Sequence, residues 1–384
     1  MDYENLKTSK YSNFDLPVIQ VKVNDKAITD GKRSFAISNV TVDLTAGFEA
    51  SQASFGIYNA YDYEDTQFEF DVIKNYVLIG SYVQILMGYN LTVTEVFRGV
   101  ITRVNFVIED GEAPYILVTA MDVKAVMMAN RYHKAIKAKS YSEAVKEIFK
   151  QGVYESLKND GVILSYEIGD TPDKNPSSGE QGKEETDKMI EMVGESDYEF
   201  VTRVAKKFNY EFFVLGGRVY FRAAKLDKEN QITISPSANI KSINVEYDIT
   251  GLTESIEVRG LDVGKAKLLK TTKKNSNKLS QGNKAKSLIT GSKFVYIDPT
   301  VASAEDAGFR AGYLLEDMMY RYGSLELEMI GLPDILPGKF IKIDGIGKAI
   351  SNEFYVQTVR HTMSKDGEYI TKVIGKAAKQ SEST

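Results

Sequence analysis

Only two histidines, His133 and His361, occur in this 384-residue chain, and it has no cysteine. A histidine-based triad or a multi-histidine metal site would have to recruit one of them with carboxylates from afar, and zero cysteines exclude thiolate zinc sites, iron-sulfur ligation and cysteine nucleophiles. Carboxylates number 53, but none falls in the spacing of a calcium-binding loop or of helix-facing Glu-x-x-His pairs, and no acid/base pair stands out. Gly345-Ile346-Gly347 lies between two strand patterns without the helix that would offer its amino terminus to a phosphate, so it reads as a hairpin turn. A Gly-x-Ser-x-Gly elbow is absent as well. The reading is therefore a protein that is not an enzyme, with no catalytic, cofactor-binding or metal-binding residue assigned. His361 is expected as a strand-end polar residue where a first copy of the repeat described below has Val104 or Asn105. His133 is expected in a solvated linker over 131–139.

The remaining charge signal is a run of lysines. Residues 264–291 hold eight (265, 267, 270, 273, 274, 278, 284 and 286) and no acid. A solvated loop or extended arm explains such a run, and contact with an acidic partner is the functional alternative. Nucleic acid is not expected as a partner: the run lacks interleaved aromatics and the net charge is −5. No apolar run is long enough to cross a membrane and the amino terminus is polar, so a soluble protein made in a cytoplasm is expected. With 43% hydrophobic and 26% charged residues, the chain can bury the cores of several domains. Its 23 tyrosines suit half-buried strand faces.

What must position any functional surface is a repeat. Gly80-Ser81-Tyr82-Val83-Gln84-Ile85, Phe97 and Asp110-Gly111 recur about 258 residues later as Gly338-Lys339-Phe340-Ile341-Lys342-Ile343, Phe354 and Asp366-Gly367. Both copies continue with period-two strands, Tyr115-Ile116-Leu117-Val118 and Tyr369-Ile370-Thr371-Lys372. Upstream, Val40-x-Val42-x-Leu44 is answered by Ile243-x-Val245-x-Tyr247, and Ser54-Phe55-Gly56-Ile57 is matched to Ser255-Ile256-Glu257-Val258. Copy two adds a helix with a cap at Ser303-x-x-Asp306 and an apolar stripe through Ala307, Ala311, Leu314, Leu315, Met318 and Tyr322; copy one has only a short helix at 60–74 in that place.

Between the copies the period becomes helical. Ser140-x-x-Glu143 and Ser196-x-x-Glu199 are capping boxes, and Tyr210 to Arg222 is a hairpin turning on Gly216-Gly217. The stretch 169–188, rich in Pro, Gly and Ser, reads as a flexible excursion. The expected fold is α+β, mainly β: two similar β domains in one chain with an α/β insertion between them, domains that the resemblance given below implies are tube-type β-barrels. The divisions are an N-terminal arm (1–15), a first barrel (16–125), the insertion (126–230), a second barrel with a helix at about 303–322 (231–376) and a tail (377–384).

With these residues in hand, the chain resembles the hub family of contractile injection machines: phage late control gene D proteins, central baseplate hubs and the amino-terminal part of type VI secretion spike (VgrG) proteins. The resemblance rests on Phe97-Arg98-Gly99-Val100-Ile101, on Ser140-Tyr141-Ser142-Glu143-Ala144-Val145, on Glu195-Ser196-Asp197-Tyr198-Glu199-Phe200 with Tyr210-Glu211-Phe212-Phe213, and on Gly331-Leu332-Pro333-Asp334-Ile335-Leu336-Pro337-Gly338. It implies a homotrimer whose six barrels form a ring, adapting a hexameric tail tube to a trimeric spike. The implied partners are further copies of itself, the tail tube protein, a separate spike protein, other baseplate proteins and the tape measure protein. Gly80, Tyr82, Val83, Ile85, Gly338, Phe340, Ile341 and Ile343 are expected in the ring walls, and the middle unit is expected to face other baseplate parts. A tail-associated peptidoglycan hydrolase and a carbohydrate-binding β protein are the competing readings, and phage, phage-tail-like bacteriocin and other contractile injection system stay open as the particle.

Overall fold

A computed structural model describes residues 2–29, 35–69, 73–172, 189–262, 266–277, 279, 284–299, 301 and 303–380. Its framework is a 13-stranded sheet to which both copies of the repeat contribute. We label the strands of the first half β1 (Pro17–Val23), β2 (Ile37–Thr45), β3 (Gln52–Ile57), β4 (Tyr82–Tyr89), β5 (Thr92–Val107) and β6 (Tyr115–Met121). Those of the second are β7 (Asn230–Ile234), β8 (Ile240–Tyr247), β9 (Gly323–Ile330), β10 (Phe340–Ile343), β11 (Asn352–Met363) and β12 (Tyr369–Ala377). The first half has the neighbour order β2-β3-β6-β5-β4-β1 and the second β8-β9-β12-β11-β10-β7, the same order strand for strand. Strict alternation in β6 and β12, whose every second residue is buried, is the period-two pattern made real.

The ladders define which residues are equivalent. Thr102 in β5 and Gln357 in β11 are both extra residues in a bulge, against β6 and β12 respectively. Tyr82 stands opposite Val100 as Phe340 stands opposite Tyr355, so β4 and β10 match as the sequence repeat requires. Three sequence expectations change. Phe354 faces Ile341, whose counterpart Val83 faces Gly99, so Phe354 matches Gly99 and the sequence pairing of Phe97 with Phe354 is displaced by two residues. Gly99 is fixed by space, because a Cβ there would lie 2.2 Å from the Met121 carbonyl oxygen. His361 matches Phe106, neither Val104 nor Asn105, and it sits inside β11 with its side chain fully buried. Finally, β9 and not 255–258 takes the place of β3, since β9 is the strand between β8 and β12.

Ser255–Asp262 instead forms a separate three-stranded sheet with Lys267–Lys274 and Lys293–Ile297, covered by the helix Ala304–Met319. Ser303 caps that helix by accepting from the Asp306 amide, and Ala307, Ala311, Leu315 and Met318 pack with Ile256 and Val258 into a small core of their own. This unit is inserted between β8 and β9, where the first half has only the short loop 46–51 between β2 and β3. At 60–69 the first half carries a hairpin, Tyr61–Asp62 against Gln67–Phe68; part of the expected short helix, 70–72, lies outside the described residues. The lysine run supplies the edge strand Lys267–Lys274, a position where charge blocks adventitious strand pairing. Its residues 264–265, 278 and 280–283 lie outside the described residues.

The middle unit has its own core around Phe200, Val204, Phe212 and Phe221. Ser196 and Glu199 form the full reciprocal capping box of Asp197–Phe208, and Gly216 and Gly217, both at positive φ, turn the hairpin Tyr210–Leu215 into Arg218–Ala223. The segment expected as a linker is the strand Tyr132–Lys137, paired with Met189–Glu195, and exposed His133 belongs to it. Of the expected excursion, 173–188 lies outside the described residues.

Candidate functional site: the seam between the halves

The two halves meet by strand pairing. β11 runs antiparallel to β2 over six residue pairs, from Thr358 opposite Thr45 to Met363 opposite Val40. Alternation sends Val359, His361 and Met363 inward beside Val40, Val42 and Leu44, all buried in one core that both halves share. On the outer side Arg360 donates to Asp43 at 2.5 Å, holding the register from the solvent face.

His361 is the one buried histidine, and its surroundings make it structural. Its Nδ1 lies 3.0 Å from the Thr371 hydroxyl and 3.1 Å from the Tyr369 hydroxyl, and burial pushes its pKa down to about 3. A ring kept neutral by desolvation, with hydroxyls and no carboxylate beside it, is neither a poised base nor an activated acid. Among the described residues no group of three or more His, Asp or Glu is placed to hold a metal ion.

The amino-terminal residues close over the same seam. Tyr11 donates to Asp334 of the second half at 2.6 Å and its hydroxyl shares a 2.8 Å hydrogen bond with Thr94 of the first. Lys10 reaches Asp334 at 2.5 Å, and Tyr3 donates to Asn239 at 2.9 Å. Phe14 and Tyr89 pack ring on ring 5.0 Å apart, and Tyr89 donates to the Gly331 carbonyl at 2.7 Å. Aromatic bodies supply the apolar contact while their hydroxyls satisfy polar groups buried by the junction.

The eight residues expected in ring walls fall into three groups. Val83, Ile85, Ile341 and Ile343 are fully buried in the shared core, and Gly80 and Gly338 occupy turns at φ +89° and +81°. Tyr82 packs with Val100 and Val162, and Phe340 with Phe213, Tyr355 and Ala46, so these two hold the middle unit against the halves. A side chain already buried at home has no surface left for a neighbour; at these positions only the backbone and the alternating residues such as Gln84 and Lys342 reach outward.

Buried polar ties reinforce that joint, and sequence reasoning missed them. Lys124 donates to the carbonyls of Gly47, Phe48 and Glu49 at 3.2, 3.0 and 2.7 Å, and desolvation lowers its pKa to about 8. Asp122 beside it accepts from the Ser51 and Lys124 amides; burial still raises its pKa. Glu211 accepts from Arg222 at 2.8 Å and from the Tyr355 hydroxyl at 2.7 Å, and Arg98 of the Phe-Arg-Gly motif donates to the Gly161 carbonyl at 2.5 Å. Lys124 and Glu211 each interrupt an apolar run, which is the signal that could have marked them as buried and paired.

With this geometry in view, a family model described as the Alg8 N-terminal domain matches residues 13–162 and 180–365. The chain belongs to that family. No curated protein matches the sequence. This Alg8 N-terminal domain family member is similar in fold to a tail protein from Neisseria meningitidis MC58, at TM-score 0.65 and 14% identity over 94% of this chain and 96% of that one. It is also similar to the 43 kDa tail protein of prophage MuSo2 from Shewanella oneidensis, at TM-score 0.65 and 11% identity over 94% and 98%. A third likeness is to an E. coli component of the type VI secretion system described as similar to phage T4 tail proteins gp27 and gp5, at TM-score 0.56 and 11% identity over 95% and 79%. The fold is that of tail proteins, mainly β with two matching halves.

Proposed function

We propose that the protein is a non-catalytic structural hub in the baseplate of a contractile tail or injection particle, a homotrimer that adapts a hexameric tail tube to a trimeric spike. The observation that carries this reading is the repeat of six strands in one order, placed side by side by the β11–β2 seam. Three copies of a chain with two like halves offer six like surfaces, which reconciles threefold with sixfold symmetry without new contacts for each position. The tail-protein fold supports the same reading. In it, 16–125 and 231–376 are the ring-forming units, 126–230 is the outward unit, and 1–15 is a clasp across the seam. The partners are the tail tube protein, a separate spike protein, other baseplate proteins and the tape measure protein. Assembly takes place in the bacterial cytoplasm, and nucleic acid and membrane have no part in it. Among the described residues no helix is long and apolar enough to cross a membrane.

Electron microscopy of the purified chain mixed with its tail tube protein tests the reading. The expected particle is a threefold ring with six similar lobes capping the tube. A chain that stays monomeric with the tube present, or one that clears a peptidoglycan zymogram, would overturn it.

A further inference from the structure

Each strand of the closed seam has a counterpart whose matching edge is open. β11 is paired on one edge by β10 over Asn352 to Tyr355 and, further along, by β2 over Thr358 to Met363. Its counterpart β5 is paired by β4 only as far as Val100; beyond Ile101 that edge meets no strand among the described residues. β8, the counterpart of β2, pairs with β9 alone among the described residues and ends the sheet they form. Within one chain the two open edges do not pair with each other among the described residues.

The open edges are apolar where the closed ones are buried. Phe106 is 50% exposed and Ile108 65%, whereas their counterparts His361 and Met363 are 0% and 6% exposed. Ile243 and Val245 are half-buried, whereas Val40 and Val42 are fully buried. An unpaired edge flanked by exposed large apolar side chains is a template for a further strand.

We propose that β5 of one copy and β8 of the next pair antiparallel, repeating the seam between chains. The ladders set the register. Tyr355 and Ser324 both pair with Lys376, as Val100 and Gln52 both pair with Met121, and Asp43 faces Gln52 as Glu246 faces Ser324. Arg360 opposite Asp43 therefore becomes Asn105 opposite Glu246 of the neighbour. In the same register Phe106 faces Val245, Ile108 faces Ile243, and Arg103 faces exposed Asp248, an opposite-charge pair in antiparallel position. The contact joins unlike surfaces head to tail, the type that closes into a ring. This inference rests on the trimeric reading and names the surface that builds it.

Absence of native cysteine makes the register testable by disulfide trapping in the full chain. An Asn105→Cys/Glu246→Cys double variant is oxidised beside an Asn105→Cys/Ser242→Cys variant, whose second thiol is displaced by about 13 Å along the strand, beyond disulfide reach. The expected product is a reducible, covalent three-chain ring in the first variant only. If the chain self-associates but the 105/246 pair gives no such product, or the displaced pair gives as much, the register is wrong and the trimer survives. If the chain stays monomeric at every concentration and with its tube protein, both readings fall. As a second measurement, Phe106→Asp, which gives up the edge-on contact of its ring with Phe68, is expected to lower the thermal unfolding midpoint of the monomer by only a few degrees and to weaken self-association about tenfold or more; unchanged self-association would overturn the proposal.

Discussion

The two halves share one ladder and differ in what surrounds it. β1 reaches β4 antiparallel, because the chain enters the first half from the clasp across the seam; β7 reaches β10 parallel, because the chain enters the second half from the middle unit. The first half turns directly from β2 to β3, while the second interrupts the same step with a sheet and a helix. Valines at one ladder position, Val42 and Val245, are buried in one half and half-exposed in the other. Burial at a strand position is thus set by the neighbour across the edge, and the strand's own residues only permit it.

Substituting that matched pair should give the largest contrast. Val42→Asp, which puts a charge into the closed seam, is expected to destabilise the monomer by about 4 kcal/mol or more, against about 1 kcal/mol for Val245→Asp. Urea unfolding of both variants checks this, and equal losses would erase the distinction between closed and open edges. The joint of the first half with the middle unit comes next. Lys124→Met leaves three carbonyls and the Asp122 carboxylate without their cation, an expected loss of about 3–5 kcal/mol; a midpoint shift equivalent to less than about 1 kcal/mol would show the tie to be dispensable.

Acid separates the halves further, since Phe106 stands where the second half has His361. The native histidine pKa of about 3 lies below the unfolded value of 6.5, so the unfolded chain binds a proton first. Stability is complete above pH 6.5 and is lost as pH falls towards 3, by at most about 1.4 kcal/mol per unit from this group. A His361→Gln variant is expected to show a flatter profile in that window, measured as the difference between the two proteins at each pH. The smallest effect is expected at the exposed ion pair: Arg360→Ala should cost about 1 kcal/mol or less, and less still in high salt.

Several parts of this arrangement are legible in the sequence. The pairing of Val40-x-Val42-x-Leu44 with Ile243-x-Val245-x-Tyr247 is the one the ladders show, because alternation and a nearby turn fix a strand's face and register locally. The caps at Ser196 and Ser303 and the Gly216-Gly217 turn were equally plain, each being a contact between residues a few places apart. The match of 255–258 to 54–57 failed for the opposite reason. Both are short apolar strands, and only the partner strand distinguishes Ile256 under a helix from Phe55 in the main sheet.

By itself, then, the sequence determined that the chain is mainly β, that it contains one unit twice, and where its helices begin, since period, turn chemistry and caps act over a few residues. Only the tertiary structure decided that Tyr82 and Phe340 hold the middle unit, that His361 is a buried neutral ring, and that β11 pairs with β2 while the matching edges of β5 and β8 meet no strand among the described residues. Those outcomes depend on contacts between residues tens to hundreds of positions apart, whose energies come from mutual burial that no local pattern encodes.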